Sequence, residues 1–443
     1  MSGAADRPWQ GRRLHFVGIG GAGMSGLALI AVRLGAEVTG SDSAESAYIQ
    51  SLRAAGVLPI IGHRSENVPD GAEVVYSTAI GADNPERTAA VALLHRSELL
   101  AQIARLKRCL AVSGAAGKTT TTAMIVHVLR ACGMDPAYAV GGELRSTGLN
   151  ADWGTGEWIV IEADESDRSL LNYEPEIAVL TNCELDHHTT YSSRLELEAT
   201  FAEFVGRSST AVVWDRPELL KLVTGATAVI PYDASAPDLQ PDGARFIWRG
   251  LEVQLAVPGL HNAVNAAGAL TACAAAGADP VMAASAIADF RGARRRMELL
   301  GSTRKGVPIY DDYAHHPMKV AAALAAARTL APRRLVAVFQ PHLYSRTRAL
   351  APEFGAALAA ADLCAVLDVY PAREQATDFP GVDGRLVAAA TADAAGGRTV
   401  AWLPTRVDAQ RWLEATLGPG DICLIMGAGN IDALGRALLA GPG

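Results

Sequence analysis

Scarcities in this sequence narrow its class before any motif is read. Only six cysteines occur in 443 residues (Cys109, Cys132, Cys183, Cys273, Cys364 and Cys423), with no C-x-x-C pair and no compact metal-ligand spacing. That argues against a disulfide scaffold or a zinc module and reads as reduced, mostly buried thiols. No run of about 18 uncharged apolar residues is present, and the opening MSGAADRPWQGRR has no apolar signal core. The expectation is a cytoplasmic chain without membrane insertion. A basic excess is missing as well: the formal net charge is −8, so nucleic acid is not expected as a partner, because binding a phosphate backbone needs a face that neutralises several charges. The local clusters Arg294-Arg295-Arg296 and Arg333-Arg334 remain compatible with a small phosphorylated substrate, or with a solvated surface.

Apolar residues make up 50% of the chain and glycine is abundant, a composition that suits packed α/β layers. The length exceeds one ordinary core and predicts three units. Residues 14–40 read as strand, glycine turn, helix and strand, and VVYSTAI continues the alternation, which predicts a parallel sheet covered by helices. A second unit opens near Leu106, where CLAVSG runs into a glycine turn, the helical stretch TTTTAMIVHVLRAC, and the strands EWIVIEAD and EIAVLTN. Residues 222–258 read as a small β excursion before an Ala-rich helix at 261–277. Beyond Arg296, the strands VPIYDDYAHHP, RRLVAVFQPH, DLCAVLDVY and DICLIMGAG predict a third doubly wound unit. The predicted domains are 1–106, 107–297 and 298–443.

The strongest motif is Ser113-Gly114-Ala115-Ala116-Gly117-Lys118-Thr119-Thr120, between an apolar strand and a helix. Glycines let backbone N–H groups turn toward phosphate oxygens, the helix N-terminus adds positive potential, and the lysine ammonium offsets anionic charge. The Thr119 hydroxyl suits Mg²⁺. Only two residues separate Gly114 from Gly117, fewer than in the general phosphate loop of nucleotide hydrolases. Glu162-Ala163-Asp164-Glu165-Ser166-Asp167 and Thr181-Asn182-Cys183-Glu184-Leu185-Asp186-His187-His188 each follow an apolar strand, where α/β sheets hold ligands, and carboxylate oxygen suits a hard cation. Glu162 is the leading ligand candidate, with His187 beside it. Near the start, Gly18, Gly20, Gly21 and Gly23, with Asp42 at the next strand end, fit either a nicotinamide cofactor or another nucleotide-bearing ligand.

At these residues the sequence resembles the Mur ligases of bacterial cell-wall synthesis over nearly its whole length, most closely the alanine-adding branch. GIGGAGMSGLA, EADESD, DDYAHHP, FQPHLYSRT, LDVYPAREQ and MGAGNI match that family's signatures in order. The resemblance implies an α/β fold of three domains, each on a largely parallel sheet with flanking helices: Rossmann-like N- and C-terminal domains around a central P-loop ATPase domain. It implies that ATP phosphorylates the lactyl carboxylate of UDP-N-acetylmuramate and that L-alanine attacks the acyl phosphate, with Mg²⁺ as cofactor.

Carried over by the same match, Gly114, Ala116, Gly117, Lys118, Thr119 and Thr120 would cradle the ATP phosphates, while Thr119, Glu162 and His187 would hold Mg²⁺. His261, Asn262 and Asn265 would meet adenine, with Arg296 and Asp312 also on the nucleotide side. Gly18, Gly20, Gly21, Gly23, Met24, Ser25 and Asp42 would bind the UDP-sugar. Tyr313, His315, His342 and Arg346 would face the incoming amino acid, where a guanidinium fork suits a carboxylate. Lys118, Glu162, His187, His316 and Arg346 would be catalytic.

The family usually has a polar pair where this chain has Ala115-Ala116, which leaves the backbone donors intact. Several relatives carry a carbamylated lysine in a segment that here has none, and Glu198 is a candidate substitute for its charge. A paralogue that joins a different amine or carboxylate, and a non-catalytic nucleotide-binding regulator, are the alternative readings. Closure of the C-terminal unit over the central one after ATP binds is a further expectation.

Overall fold

The structure is a computed structural model that describes residues 7–184, 190–223, 225–226, 228–240, 243–372 and 374–440. The first sheet holds β1 (Arg13–Val17), β2 (Glu37–Asp42), β3 (Ile60–Ile61), β4 (Glu73–Tyr76) and β5 (Ala92–His95), all parallel, in the order β3-β2-β1-β4-β5. The chain leaves β1 toward one side and returns on the other, so a crevice opens at the carboxyl end of β1, where such sheets bind ligands. The glycine turn 18–21 starts there and enters the helix Ala22–Arg33.

The central sheet repeats this logic. Its strands β6 (Arg108–Ser113), β7 (Ala137–Ala139), β8 (Ala151–Asp152), β9 (Trp158–Glu162), β10 (Ile177–Leu180), β11 (Thr210–Trp214) and β12 (Ala228–Tyr232) lie in the order β12-β11-β10-β6-β9-β7-β8. Pairing is parallel except at the edge, where β8 runs antiparallel to β7. β6 sits between β9 and β10, so the phosphate loop after Ser113 lies beside the ends that carry Glu162 and Thr181. One hydrophobic core runs through the first two sheets, taking in Leu14 and Phe16 from β1, Leu27 and Ile30 from the first helix, and Ile159 and Ile161 from β9.

The β excursion is a small sheet of β13 (Ser235–Gln240), β14 (Gly243–Trp248) and β15 (Leu251–Leu255). The helix Leu260–Ala275 follows. The last sheet has β16 (Glu298–Ser302), β17 (Pro308–Asp312), β18 (Arg334–Phe339), β19 (Leu363–Val366), β20 (Thr399–Trp402) and β21 (Asp421–Met426) in the order β16-β17-β21-β18-β19-β20. Only β16, on the edge, is antiparallel among its described strands.

The inner strands β18, β19 and β21 of this sheet are buried on both faces, which explains why they read as unbroken apolar runs rather than alternating ones, whereas the edge strands β16 and β20 are largely open to solvent. Leu335, Ala337 and Phe339 join Leu424 and Met426 in one core cluster. Val336 and Val338 join Cys423 and Ile425 in the other. The first two sheets fall in one compact unit and the last sheet in a second. All six cysteines are free and all but Cys132 are buried. Among the described residues, no helix is long and apolar enough to cross a membrane.

Candidate active site

The phosphate loop is built so that only glycine fits at two of its positions. Gly114 has φ 136° and Gly117 has φ 81°, both in the region that L side chains avoid. A Cβ on Gly114 would collide with Thr181 Oγ1, and one on Gly117 would lie 2.6 Å from Asn265 Oδ1. The loop is thus wedged between the end of β10 and the helix Leu260–Ala275. Asn182 clamps it further: its Oδ1 accepts from Ala116 N at 3.0 Å, and its Nδ2 donates to Ala116 O at 2.8 Å. The Ala116 amide expected to face phosphate is therefore held by a side chain here.

Lys118 opens the helix Lys118–Ala131 and donates to Gly114 O at 2.8 Å and to Glu165 Oε2 at 2.6 Å. Burial acts to lower its pKa, but Glu165, Asp164 and Glu162 outweigh burial and hold the ammonium above its ordinary value. It is charged at neutral pH. Thr119 and Thr120 are buried in the first helical turn, and Thr119 Oγ1 donates to Glu162 Oε1 at 3.1 Å. The other oxygen of Glu162 accepts from Gly141 N at 2.9 Å.

A hydroxyl and a carboxylate oxygen this close are hard donors of the kind Mg²⁺ selects, so the pair fits that cation. His187, the third expected ligand, lies outside the described residues. Among those described, no group of three or more His, Cys, Asp or Glu side chains is arranged to hold a metal. Glu198 is ion-paired with Arg194 at 3.0 Å and Lys221 at 3.1 Å, so its charge is already neutralised by two cations.

At the N-terminal crevice, Gly18 N and Ile19 N donate to Ser41 O at 2.8 and 2.9 Å, and Gly20 N donates to Asp42 Oδ2 at 2.8 Å. Gly21 precedes the first helix and Gly23 lies in its first turn. Met24 packs in the core, and the Ser25 hydroxyl turns back to Ala22 O at 3.1 Å, so both side chains serve the fold. A cleft of about 110 Å³ opens beside this helix, lined among others by Gly23, Arg96, Asn150, Gly141, Glu162 and Asp164. Arg96 reaches Asp164 at 3.5 Å and Asp167 at 3.9 Å.

Asn265 belongs with the phosphate loop, whereas His261, Asn262 and the remaining predicted residues belong to the second unit. His261 and Asn262 open the helix Leu260–Ala275, and Asn262 Nδ2 donates to Pro258 O at 2.7 Å. Asp312, at the end of β17, accepts from Met297 N and Ala314 N, each at 2.8 Å. Burial pushes its carboxyl above the ordinary range, against the pull of Arg296. A ring cluster follows. Tyr313 and His315 meet edge to face at 5.2 Å between centroids, His315 and His342 at 5.8 Å, and His342 stacks on Tyr370 at 5.9 Å. Arg346 Nη1 lies 3.4 Å from His342 Nδ1, and Arg296 sits over the Tyr313 ring at 5.3 Å. His316 is buried and precedes the helix Pro317–Thr329.

The neighbouring arginines are structural. Arg295 clamps Asp311 at 3.0 Å and the carbonyls of Gly427 and Gly429 at 2.7 and 3.0 Å. Arg333 and Arg334 both hold Asp421 at the start of β21, at 3.1 and 2.6 Å.

Comparison with known proteins places this arrangement. The Mur ligase family catalytic domain matches residues 13–108, the Mur ligase middle domain 112–273, and the Mur ligase glutamate ligase domain 295–429. The UDP-N-acetylmuramate–L-alanine ligase of Renibacterium salmoninarum is 44% identical over 96% of this chain and 95% of its own length. The chain belongs to the Mur ligase family. The enzyme of the same name from Rubrobacter xylanophilus is 43% identical over 97% of this Mur ligase and 99% of its own length. Among solved structures, the UDP-N-acetylmuramate–alanine ligase of Thermotoga maritima superposes with a TM-score of 0.83 at 26% identity, covering 97% of this chain and 98% of that one. A murein peptide ligase from Psychrobacter arcticus shares the fold, with a TM-score of 0.72 at 24% identity over 97% of this chain and 98% of that one.

The sequence alone gives no individual role to four residues of this Mur ligase's candidate site: Glu165, Asn182, Gly141 and Arg96. Glu165 and Asn182 stand in polar clusters that do follow strands, so position at a strand end was the available signal. Gly141 and Arg96 carry none, because their partners lie 21 and 68 residues away.

Proposed function

We propose that this Mur ligase joins L-alanine to the lactyl carboxylate of UDP-N-acetylmuramate through an acyl phosphate, with ATP converted to ADP and phosphate, in peptidoglycan precursor synthesis. The observation that carries the reading is the double role of Glu162. It touches Thr119 of the phosphate loop and also lines the cleft beside the helix that leaves the glycine turn. A carboxylate delivered from the sugar side would thus meet a nucleotide gripped by the loop.

A carboxylate oxygen attacks the γ-phosphorus and ADP leaves; the amine nitrogen then attacks the acyl carbon, and the C–O bond to phosphate breaks to leave an amide. The protein's task is placement and charge compensation. On entry of the triphosphate, Lys118 exchanges a partner and turns its ammonium to the phosphates. Thr119 and Glu162, with His187 as the further candidate, would hold Mg²⁺, which supplies charge stabilisation on the transferred phosphoryl group. Asn265, with His261 and Asn262, is assigned to adenine. The glycine turn and Asp42 are assigned to the UDP moiety, and Tyr313, His315, His316, His342 and Arg346 to the alanine end. The domains run 1–106, 107–297 and 298–443, and the site of action is the cytoplasm.

The test is phosphate release by purified protein with ATP, Mg²⁺, UDP-N-acetylmuramate and single amino acids. Release that needs both the sugar nucleotide and L-alanine is the expected result. Release only with a different amine or a different carboxylate donor would assign the chain to another ligation, and ATP binding without release under any pairing would make it a non-catalytic nucleotide-binding protein.

A further inference from the structure

Glu86 is a fully buried carboxylate in the N-terminal domain, remote in sequence from every motif above, and the reaction chemistry gives it no task. It sits in the short helix Pro85–Ala89, after Asn84, whose side chain accepts from Glu86 N at 2.9 Å. Five groups converge on it. Ser41 Oγ donates to Oε2, with His15 Nε2 at 3.4 Å and His63 Nδ1 at 3.5 Å from the same oxygen. Oε1 accepts from Asn67 Nδ2 at 2.6 Å and Arg64 N at 3.1 Å. The network extends outward: His63 Nδ1 meets Ser41 Oγ at 2.8 Å, and His15 Nδ1 meets Thr39 Oγ1 at 2.8 Å.

A buried charge is costly, and apolar side chains of similar volume would fill this space at no such cost. Burial works to raise the pKa of Glu86, yet the donors from His15, Ser41, Asn67 and Arg64 bring it down to about 2, so it stays ionised at working pH. Such fully satisfied networks fix geometry where small displacements matter. What is fixed here is the end of β2. Through its carbonyl, Ser41 takes the N–H groups of both Gly18 and Ile19, and the next residue, Asp42, takes Gly20 N. Asp42 O in turn accepts from Gly62 N at 2.7 Å, at the head of the same loop that gives Arg64 and Asn67 to Glu86.

We propose that Glu86 is a positioning residue for the UDP-sugar: through Ser41 and the loop 62–67 it fixes the strand end from which the glycine turn hangs, and so sets affinity for the uridine diphosphate part. The inference rests on the assignment of that turn to the UDP moiety. It separates affinity for the sugar nucleotide from the chemistry, because Glu86 reaches the turn only through other residues.

The test uses the full-length enzyme with Glu86→Gln, which keeps shape and removes charge, and Ser41→Ala, which cuts the link while leaving the carboxylate. Binding of UDP and of UDP-N-acetylmuramate is measured by calorimetry, and KM and kcat are measured for all three substrates. Glu86→Gln is expected to weaken both uridine ligands roughly tenfold, the scale of a buried donor left without its acceptor. Expected alongside are values of kcat and of KM for ATP and alanine within twofold of wild type. Ser41→Ala shifts the same constants, and the double variant is no weaker than the worse single one, because the two act in series. A lower melting temperature with uridine-ligand affinity within twofold would overturn the proposal, as would a parallel rise in all three KM values. Wild-type protein that binds ATP but neither uridine ligand would overturn the substrate reading itself, and the proposal with it.

Discussion

Lys118→Ala is expected to reduce turnover by roughly a thousandfold or more, the scale seen when a preorganised charge or donor is removed from a transferring group. In this structure the ammonium is a central charge of the loop: it bridges Gly114 O and Glu165, and its raised pKa keeps it protonated at neutral pH. A second consequence follows from the same contact. Glu165 is 1% exposed and Lys118 12%, so the variant leaves a carboxylate buried without this cation, and stability should fall by about 3–5 kcal/mol. The two effects separate in the double variant Lys118→Ala/Glu165→Gln, which is expected to regain much of the melting temperature and none of the activity. Single-turnover phosphate release and thermal denaturation on the same preparations measure both. Near-normal rates in the single variant would remove ATP from this loop.

Glu162→Gln is the second large effect. The amide keeps the size of the side chain and an oxygen to accept from Gly141 N, while it takes away the charge that a divalent cation requires. The expected result is a fall in kcat on the order of a hundredfold, with a higher Mg²⁺ concentration for half-maximal rate. Titration of phosphate release against Mg²⁺ measures it, with the ATP Kd determined in parallel. An unchanged half-saturation point would place the metal away from Glu162 and leave the carboxylate as a clamp on Thr119.

Much of the fold was legible because the inner strands of the C-terminal sheet are buried on both faces: β18 and β21 must then be continuous apolar runs, and they read as strands by composition alone. The glycine turn after Ser113 was legible for a different reason. Gly114 and Gly117 adopt conformations closed to other residues, so glycine stands there by necessity and the spacing to Lys118 follows. Short edge elements were not legible, since β3 and β8 have two residues each and no period can be read from a pair. Neither was the use of Arg294-Arg295-Arg296 and Arg333-Arg334. An arginine on a surface and an arginine clamped to a buried Asp421 have the same sequence signature, and only tertiary pairing distinguishes them. Glu86 is the extreme case: nothing in ADNPERTAA marks a buried carboxylate, because its burial is set by His15, Ser41 and Asn67, contributed from elsewhere in the domain.

The acyl phosphate is tested most directly by following oxygen. UDP-N-acetylmuramate with both lactyl carboxylate oxygens replaced by ¹⁸O is turned over with ATP and L-alanine, and the released phosphate is analysed by mass spectrometry. Attack of the carboxylate on the γ-phosphorus, followed by amide formation, transfers one labelled oxygen to each phosphate. Unlabelled phosphate at full amide yield would contradict the account.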